Sequence, residues 1–195
     1  MDGNYLRSGG PPDAGTSDEQ LYDRFRRTRD REALGLLLDR YGDRLTLFLY
    51  GIVHQAQDAE EIMLDTFAEV ASLRTVFHGD SGFKTWLFSI AQKLAYQSLR
   101  GKRHTFLPLR EDMPDHADPP EVAMLKEERN RQLYQALNAI KPEYREALYL
   151  MYFEGLSHGE IQRVTGKSAG QVYKLITRGR AAMREKLKGM GFDDA

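Results

Sequence analysis

YREALYLMYFEGLSHGEIQRVTGKSAGQVYKLITRGR, residues 144–180, decides the fold. Just upstream, Pro142 sits where a helix begins, a position that loses nothing from the missing N–H, and Gly155 supplies its end. Ser157 and Glu160 have the spacing of a capping box, which starts a second, short helix. Thr165-Gly166 closes that helix in a tight connection, and Ser168 caps a long third one. Two closely spaced helices joined by a glycine turn predict a helix-turn-helix. At about 100° per residue the long helix separates into two faces. Ala169, Val172, Leu175, Ile176, Gly179 and Met183 fall on the side that docks. Gln171, Lys174, Thr177 and Arg178 fall on the other, near the N-terminal part that enters a major groove, and their side chains can reach base edges or phosphates.

Working outward, the charges support a polyanion partner. The chain of 195 residues has 28 Lys and Arg against 29 Asp and Glu, a net charge of -1 that conceals segregation. Residues 17–72 are dominated by acids. From Phe83 to Arg110 the only charges are Lys84, Lys93, Arg100, Lys102, Arg103 and Arg110, and from Ile161 to Lys188 Glu185 stands alone against eight cations. Two basic segments stand apart from an acidic one, and clustered cations of this kind suggest contact with a polyanion. The absence of cysteine rules out disulfides, thiol catalysis and Cys-ligated zinc, and it accords with a reducing, cytoplasmic setting. No apolar run approaches the length a bilayer helix needs, so no membrane insertion is expected.

Organisation follows from periodicity and its breaks. Residues 1–16 mix Gly, Pro and small polar groups without a period and read as a disordered tail. Helices are predicted from a Ser17/Gln20 capping box, from Asp30 to Val53, from near Asp58, and over 83–100, 121–140, 142–153, 157–164 and 168–188. Residues 102–120 carry Pro108, Pro114, Pro119 and Pro120 among acids and read as a flexible linker. The fold class is therefore all-α, with two small helical domains at 17–101 and 121–189.

The helix over 83–100 directs Phe83, Leu87, Ile90, Ala91 and Leu94 to a core. Its opposite side carries Thr85, Ser89, Gln92, Lys93, Tyr96 and Arg100, with Trp86 at the margin. Aromatic rings beside cations on a wet face suit single-stranded nucleic acid, because bases stack on rings while charge follows phosphate. The preceding loop, Phe77, His78, Gly79, Asp80, Ser81 and Gly82, has the glycines to shape a pocket for an unstacked base. In the helix that includes Asp58, Ala59, Ile62, Met63, Thr66, Phe67 and Val70 form the buried stripe. Leu64 points away from it, beside Glu60, Glu61 and Asp65, giving an acidic face with one exposed leucine.

These segments together resemble the RNA polymerase sigma factors of the sigma-70 family, in the extracytoplasmic-function group. DAEEIMLDTFAEV (58–70) and FHGDSGFKTWLFSIAQKLAYQSLR (77–100) are similar to two parts of sigma region 2, and residues 144–180 to region 4. The resemblance implies a factor that binds core RNA polymerase and directs promoter-specific initiation. It implies that Asp58, Glu61, Leu64 and Asp65 meet the polymerase. It implies that Phe77, His78, Ser81, Phe83, Lys84, Trp86, Lys93, Tyr96, Gln97 and Arg100 face the melted minus-ten element. Lys167, Ser168, Gln171, Lys174, Thr177 and Arg178 would face the duplex minus-thirty-five element. Promoter DNA is an implied partner, and so is an anti-sigma protein, on the resemblance alone. The family often has Gln where Leu64 stands, Asn and Asp where Lys93 and Gln97 stand, and Arg where Leu175 stands.

Enzyme chemistry finds no support. His54, His78, His104, His116 and His158 lack metal spacing, no nucleophile elbow appears, and Gly166-Lys167-Ser168 lacks the earlier glycine of a phosphate loop, so neither metal nor cofactor is expected. A stand-alone helix-turn-helix regulator is the alternative that the residues leave open.

Overall fold

A computed structural model describes residues 15–104 and 128–191, and among them the secondary structure is entirely α-helical apart from turns. The elements are α1 (Asp18–Thr28), α2 (Arg31–Val53), α3 (Ala56–Ser72), α4 (Phe83–His104), α5 (Glu128–Asn138), α6 (Pro142–Tyr152), α7 (His158–Thr165) and α8 (Ala169–Gly189). The expected tail up to residue 14, and the linker from residue 105, lie outside the described residues.

The starts of the helices follow their capping chemistry. The Ser17 hydroxyl accepts from the Gln20 N–H at 3.2 Å while the Gln20 carbonyl accepts from the Ser17 N–H at 3.0 Å, and Asp30 caps α2 through the Glu32 N–H. Each partner satisfies a donor that the first helical turn leaves without an intrahelical acceptor. At the far ends, α1, α2 and α3 stop at Arg29, His54 and Leu73, all in the left-handed region at φ 56°, 59° and 54°.

In the first domain, α2 is the central element. Its second half, Leu45 to Val53, is buried on every side, which is why LTLFLYGIV shows no amphipathic period. Helices α1, α3 and α4 wrap it, and Leu37, Leu45, Leu49, Ala59, Val70, Phe83, Leu87 and Phe88 are fully enclosed. In the second domain α6 and α8 pack closely. A Cβ on Gly179 would lie 3.1 Å from Leu148 Cδ1 and 3.2 Å from Tyr144 Cβ, so the glycine lets the two helices approach.

The two domains are packed against one another, α2 on α6 and α4 on α7. Phe48 is 5.2 Å from Phe88 and 5.6 Å from Tyr149, ring centre to ring centre, and links the two cores. Tyr134 donates to the Leu47 carbonyl at 2.6 Å and Tyr149 to the Arg44 carbonyl at 2.8 Å. Arg145 is buried, and among the described residues no carboxylate lies in its hydrogen-bonding shell. It donates to the Leu137, Asn138 and Ile140 carbonyls around the end of α5, and across the boundary to the Gly51 carbonyl near the end of α2. Helix C-termini carry partial negative charge, so one guanidinium serves two of them. Burial holds its pKa down at about 10.

Candidate nucleic-acid interfaces

Helix α8 presents its polar side to solvent. Val172, Ile176 and Gly179 are buried, Leu175 is half-buried against the core, and Ser168, Gln171, Lys174, Thr177 and Arg178 are exposed, with Lys167 half-buried. Ala169, expected on the docking side, is exposed at the first position of the helix. The local start is a second capping box. The Gln171 carbonyl accepts from the Ser168 N–H at 2.8 Å, so its amide nitrogen remains to donate outward. Sequence reasoning missed Tyr173, 66% exposed on the same surface, and the Arg180 guanidinium, which donates to the Tyr152 hydroxyl at 2.7 Å and lies over the Tyr152 ring. An aromatic flanked by Gln171 and Lys174 was the available signal.

On α4 the aromatic expectation needs a correction. Phe83 is fully buried and cannot stack a base. It supports a cluster with Tyr22, Phe77 and Trp86, whose ring centres lie 5.3–5.9 Å apart. Its position is fixed by Glu19 of α1, whose carboxylate accepts from the Phe83 N–H at 3.0 Å and satisfies the first turn of α4. Phe77 and Trp86 remain half-buried at the rim, with Ser81 half-buried and His78 exposed in the loop. Thr85, expected on the wet side, is buried and donates to Glu160 of α7 at 3.1 Å.

Farther along α4, Lys93, Gln97 and Arg100 are exposed. Lys84 and Tyr96 are held by the second domain. Lys84 Nζ donates to the Glu154 carbonyl at 2.8 Å, and the Tyr96 hydroxyl donates to Glu146 Oε2 at 3.0 Å. Gln92 Nε2 donates to the other oxygen of Glu146 at 2.8 Å. Burial raises the pKa of Glu146, and also that of Glu154, whose carboxylate the Arg44 guanidinium grips at 3.1 Å through Nε.

On α3, Glu60, Glu61, Leu64 and Asp65 are exposed, Leu64 at 58%, and Asp58 is half-buried at the helix start. The acidic face with one leucine therefore has the predicted composition. Among the described residues no group of His, Cys, Asp and Glu could hold a metal ion, and no helix is long and apolar enough to cross a membrane.

Comparison with known proteins agrees with this layout. The family model for Sigma-70 region 2 matches residues 37–105 and that for Sigma-70, region 4 matches residues 130–183. The RNA polymerase sigma-H factor of Pseudomonas aeruginosa is 34% identical over 182 residues, 88% of this chain and 94% of that protein. The RNA polymerase sigma factor CarQ of Myxococcus xanthus is 32% identical, over 80% of this chain and 90% of its own length. In fold, the chain is similar to CnrH in complex with the cytosolic domain of CnrY, with a TM-score of 0.61 and 22% identity over 89% of this chain and 99% of that one. A second likeness is to RpoE of Bartonella quintana in complex with the anti-sigma factor NepR, with a TM-score of 0.60 and 22% identity over 81% and 96%.

The chain belongs to the sigma-70 family of RNA polymerase sigma factors. Within it, the relatives place the chain in the extracytoplasmic-function group, as a factor for promoter-directed transcription initiation by RNA polymerase.

Proposed function

We propose that this sigma factor reads its promoters in two modes, duplex at the minus-thirty-five element through α8 and parted strands at the minus-ten element through α4. The observation that carries the reading is the occurrence in one chain of two different polar surfaces. One is a helix N-terminus with Gln171, Lys174, Thr177 and Arg178 exposed, of a width suited to the major groove. The other is a helix with Lys93, Gln97 and Arg100 exposed beyond a half-buried aromatic rim of Phe77 and Trp86, suited to stacking and phosphate contact. Lys84 and Tyr96 join this second surface once the second domain releases them, while Phe83 acts beneath it.

Core polymerase docks on the α3 face, with Glu61 and Asp65 pairing with basic residues around a Leu64 contact and Asp58 at its edge. The factor works in the cytoplasm, beside the polymerase. Since CnrH and RpoE are each seen held by another protein, an anti-sigma protein is a further proposed partner.

The deciding experiment is run-off transcription with purified core enzyme, combined with footprinting of both promoter elements. Initiation with protection of a duplex upstream element and reactivity of unpaired bases downstream is expected. Tight binding to a duplex operator without core, and no transcript with it, would identify a stand-alone regulator instead.

A further inference from the structure

The contacts between the domains fall on the surface of α4 that the two-mode reading needs. Glu154 takes Lys84 through its carbonyl, Glu160 takes Thr85, and Glu146 takes both Gln92 and Tyr96, so the second domain lies along three turns of α4. Glu146 is unusual among these groups. It is only 3% exposed, and the side chains bonded to its carboxylate are the neutral amide and phenol of the first domain. Enclosing a carboxylate with neutral donors is expensive, and a contact meant only for stability is better made by an apolar pair. Two donors converging on an anionic oxygen pair are, however, what a nucleic-acid phosphate would require of the same surface.

We propose that Glu146 occupies on α4 the position of a backbone phosphate of the unpaired strand, so that domain closure and strand capture exclude each other and the closed chain is autoinhibited. This rests on the two-mode reading and adds its regulation. Closure occupies the Tyr96 hydroxyl and the Gln92 amide, although the Tyr96 ring stays 38% exposed, and binding of a strand must first displace the carboxylate. Part of the energy lost in that displacement is offset because Glu146 regains water on opening. The interface is therefore poised to open when core polymerase holds the domains apart.

The absence of cysteine allows the test in the full chain. Asp39→Cys on α2 and Glu185→Cys on α8, both exposed positions, accept a spectroscopic pair that reports the distance between domains. The probe is a pool of short single-stranded DNA. For the parent protein, a short distance that lengthens as DNA saturates is expected. Glu146→Ala should lengthen it without DNA and tighten DNA binding about tenfold, as expected when the competent state is no longer rare. Arg44→Glu, which sets a like charge against Glu154 across the same boundary and leaves α4 untouched, should open the domains in the same way and serves if Glu146→Ala fails to fold. DNA that binds the parent with no change in distance, or open variants with unchanged affinity, would overturn the latch alone. Open variants that bind no single strand would overturn the assignment of α4 itself.

Discussion

Arg145 Nη1 donates to the carbonyl oxygen of Gly51 at 2.6 Å, and this bond crosses from the second domain to the end of the central helix of the first. The approach is close: a Cβ on Gly51 would lie 3.1 Å from Arg145 Cδ. Arg145→Leu leaves buried carbonyls of both domains without a donor, each costing about 1–3 kcal/mol. The burial cost of the guanidinium itself is relieved in exchange, so a net loss of about 3 kcal/mol is expected, with Tm lower by about 6–12 °C in a chain of this size. Arg145→Lys should recover little, since an ammonium cannot reach carbonyls arranged for a planar fork. Thermal unfolding of both variants checks this.

Gly179→Ala opposes two effects. The methyl group favours the helix by about 1 kcal/mol. It also meets Leu148 Cδ1 and Cγ at 3.1 Å and Tyr144 Cβ at 3.2 Å, and the last is fixed to the α6 backbone. Overpacking of this kind costs about 1–3 kcal/mol, so net destabilisation is expected. Denaturant unfolding measures it, and binding to minus-thirty-five duplex should weaken in parallel as α8 tilts.

His54 makes the molecule sensitive to acid. Its Nε2 lies 2.9 Å from Arg145 Nη1, and it accepts there only when neutral. Burial, and then the Arg145 charge, lower its pKa below the ordinary 6.5. The unfolded chain therefore takes up a proton that the folded chain refuses, and the stability contributed by neutral His54 is lost as pH falls below about 6.5. The raised carboxyls of Glu146 and Glu154 act in the opposite sense, gaining stability as they protonate. The difference between parent and His54→Gln isolates the imidazole: unfolding midpoints from pH 7.5 to 5.5 should fall less for the variant.

On α8, Lys174→Ala and Arg178→Ala should weaken upstream-element binding by about 1–3 kcal/mol where the residue reads a base, or lower the salt slope by about one where it touches phosphate. Tyr173→Ala belongs in the same series because the ring is exposed beside them. Titrations at several salt concentrations separate these outcomes.

Leu64→Ser should leave stability within about 0.5 kcal/mol, as for most surface changes, while reducing affinity for core polymerase. Co-sedimentation with core tests the pair of expectations.

Much of this fold was legible because its helices announce their own ends. Ser17, Asp30, Ser157 and Ser168 cap where their sequence spacing requires, and the second face of α8 followed from periodicity. Helix α4 was legible only in part. Its periodicity separated Phe83 and Leu87 from Lys93 and Arg100, but Thr85 is buried by α7, a helix more than seventy residues later, which no local pattern encodes. The packing of the two domains was illegible for the same reason. Glu146 and Arg145 look like surface charges in sequence, and their burial depends on partners from α2 and α4.

Gln171 closes the N-cap of α8 with one end of its amide and offers the other to whatever the helix meets. Variation at this position is thus restricted by architecture: only Gln and Glu can keep the cap closed. With one end held in the cap, Gln offers a donor and Glu an acceptor, and these two groups suit different base edges. A single exchange of amide for carboxylate would thus invert the hydrogen-bonding character of this exposed position with the helix start intact, while every other replacement would loosen it.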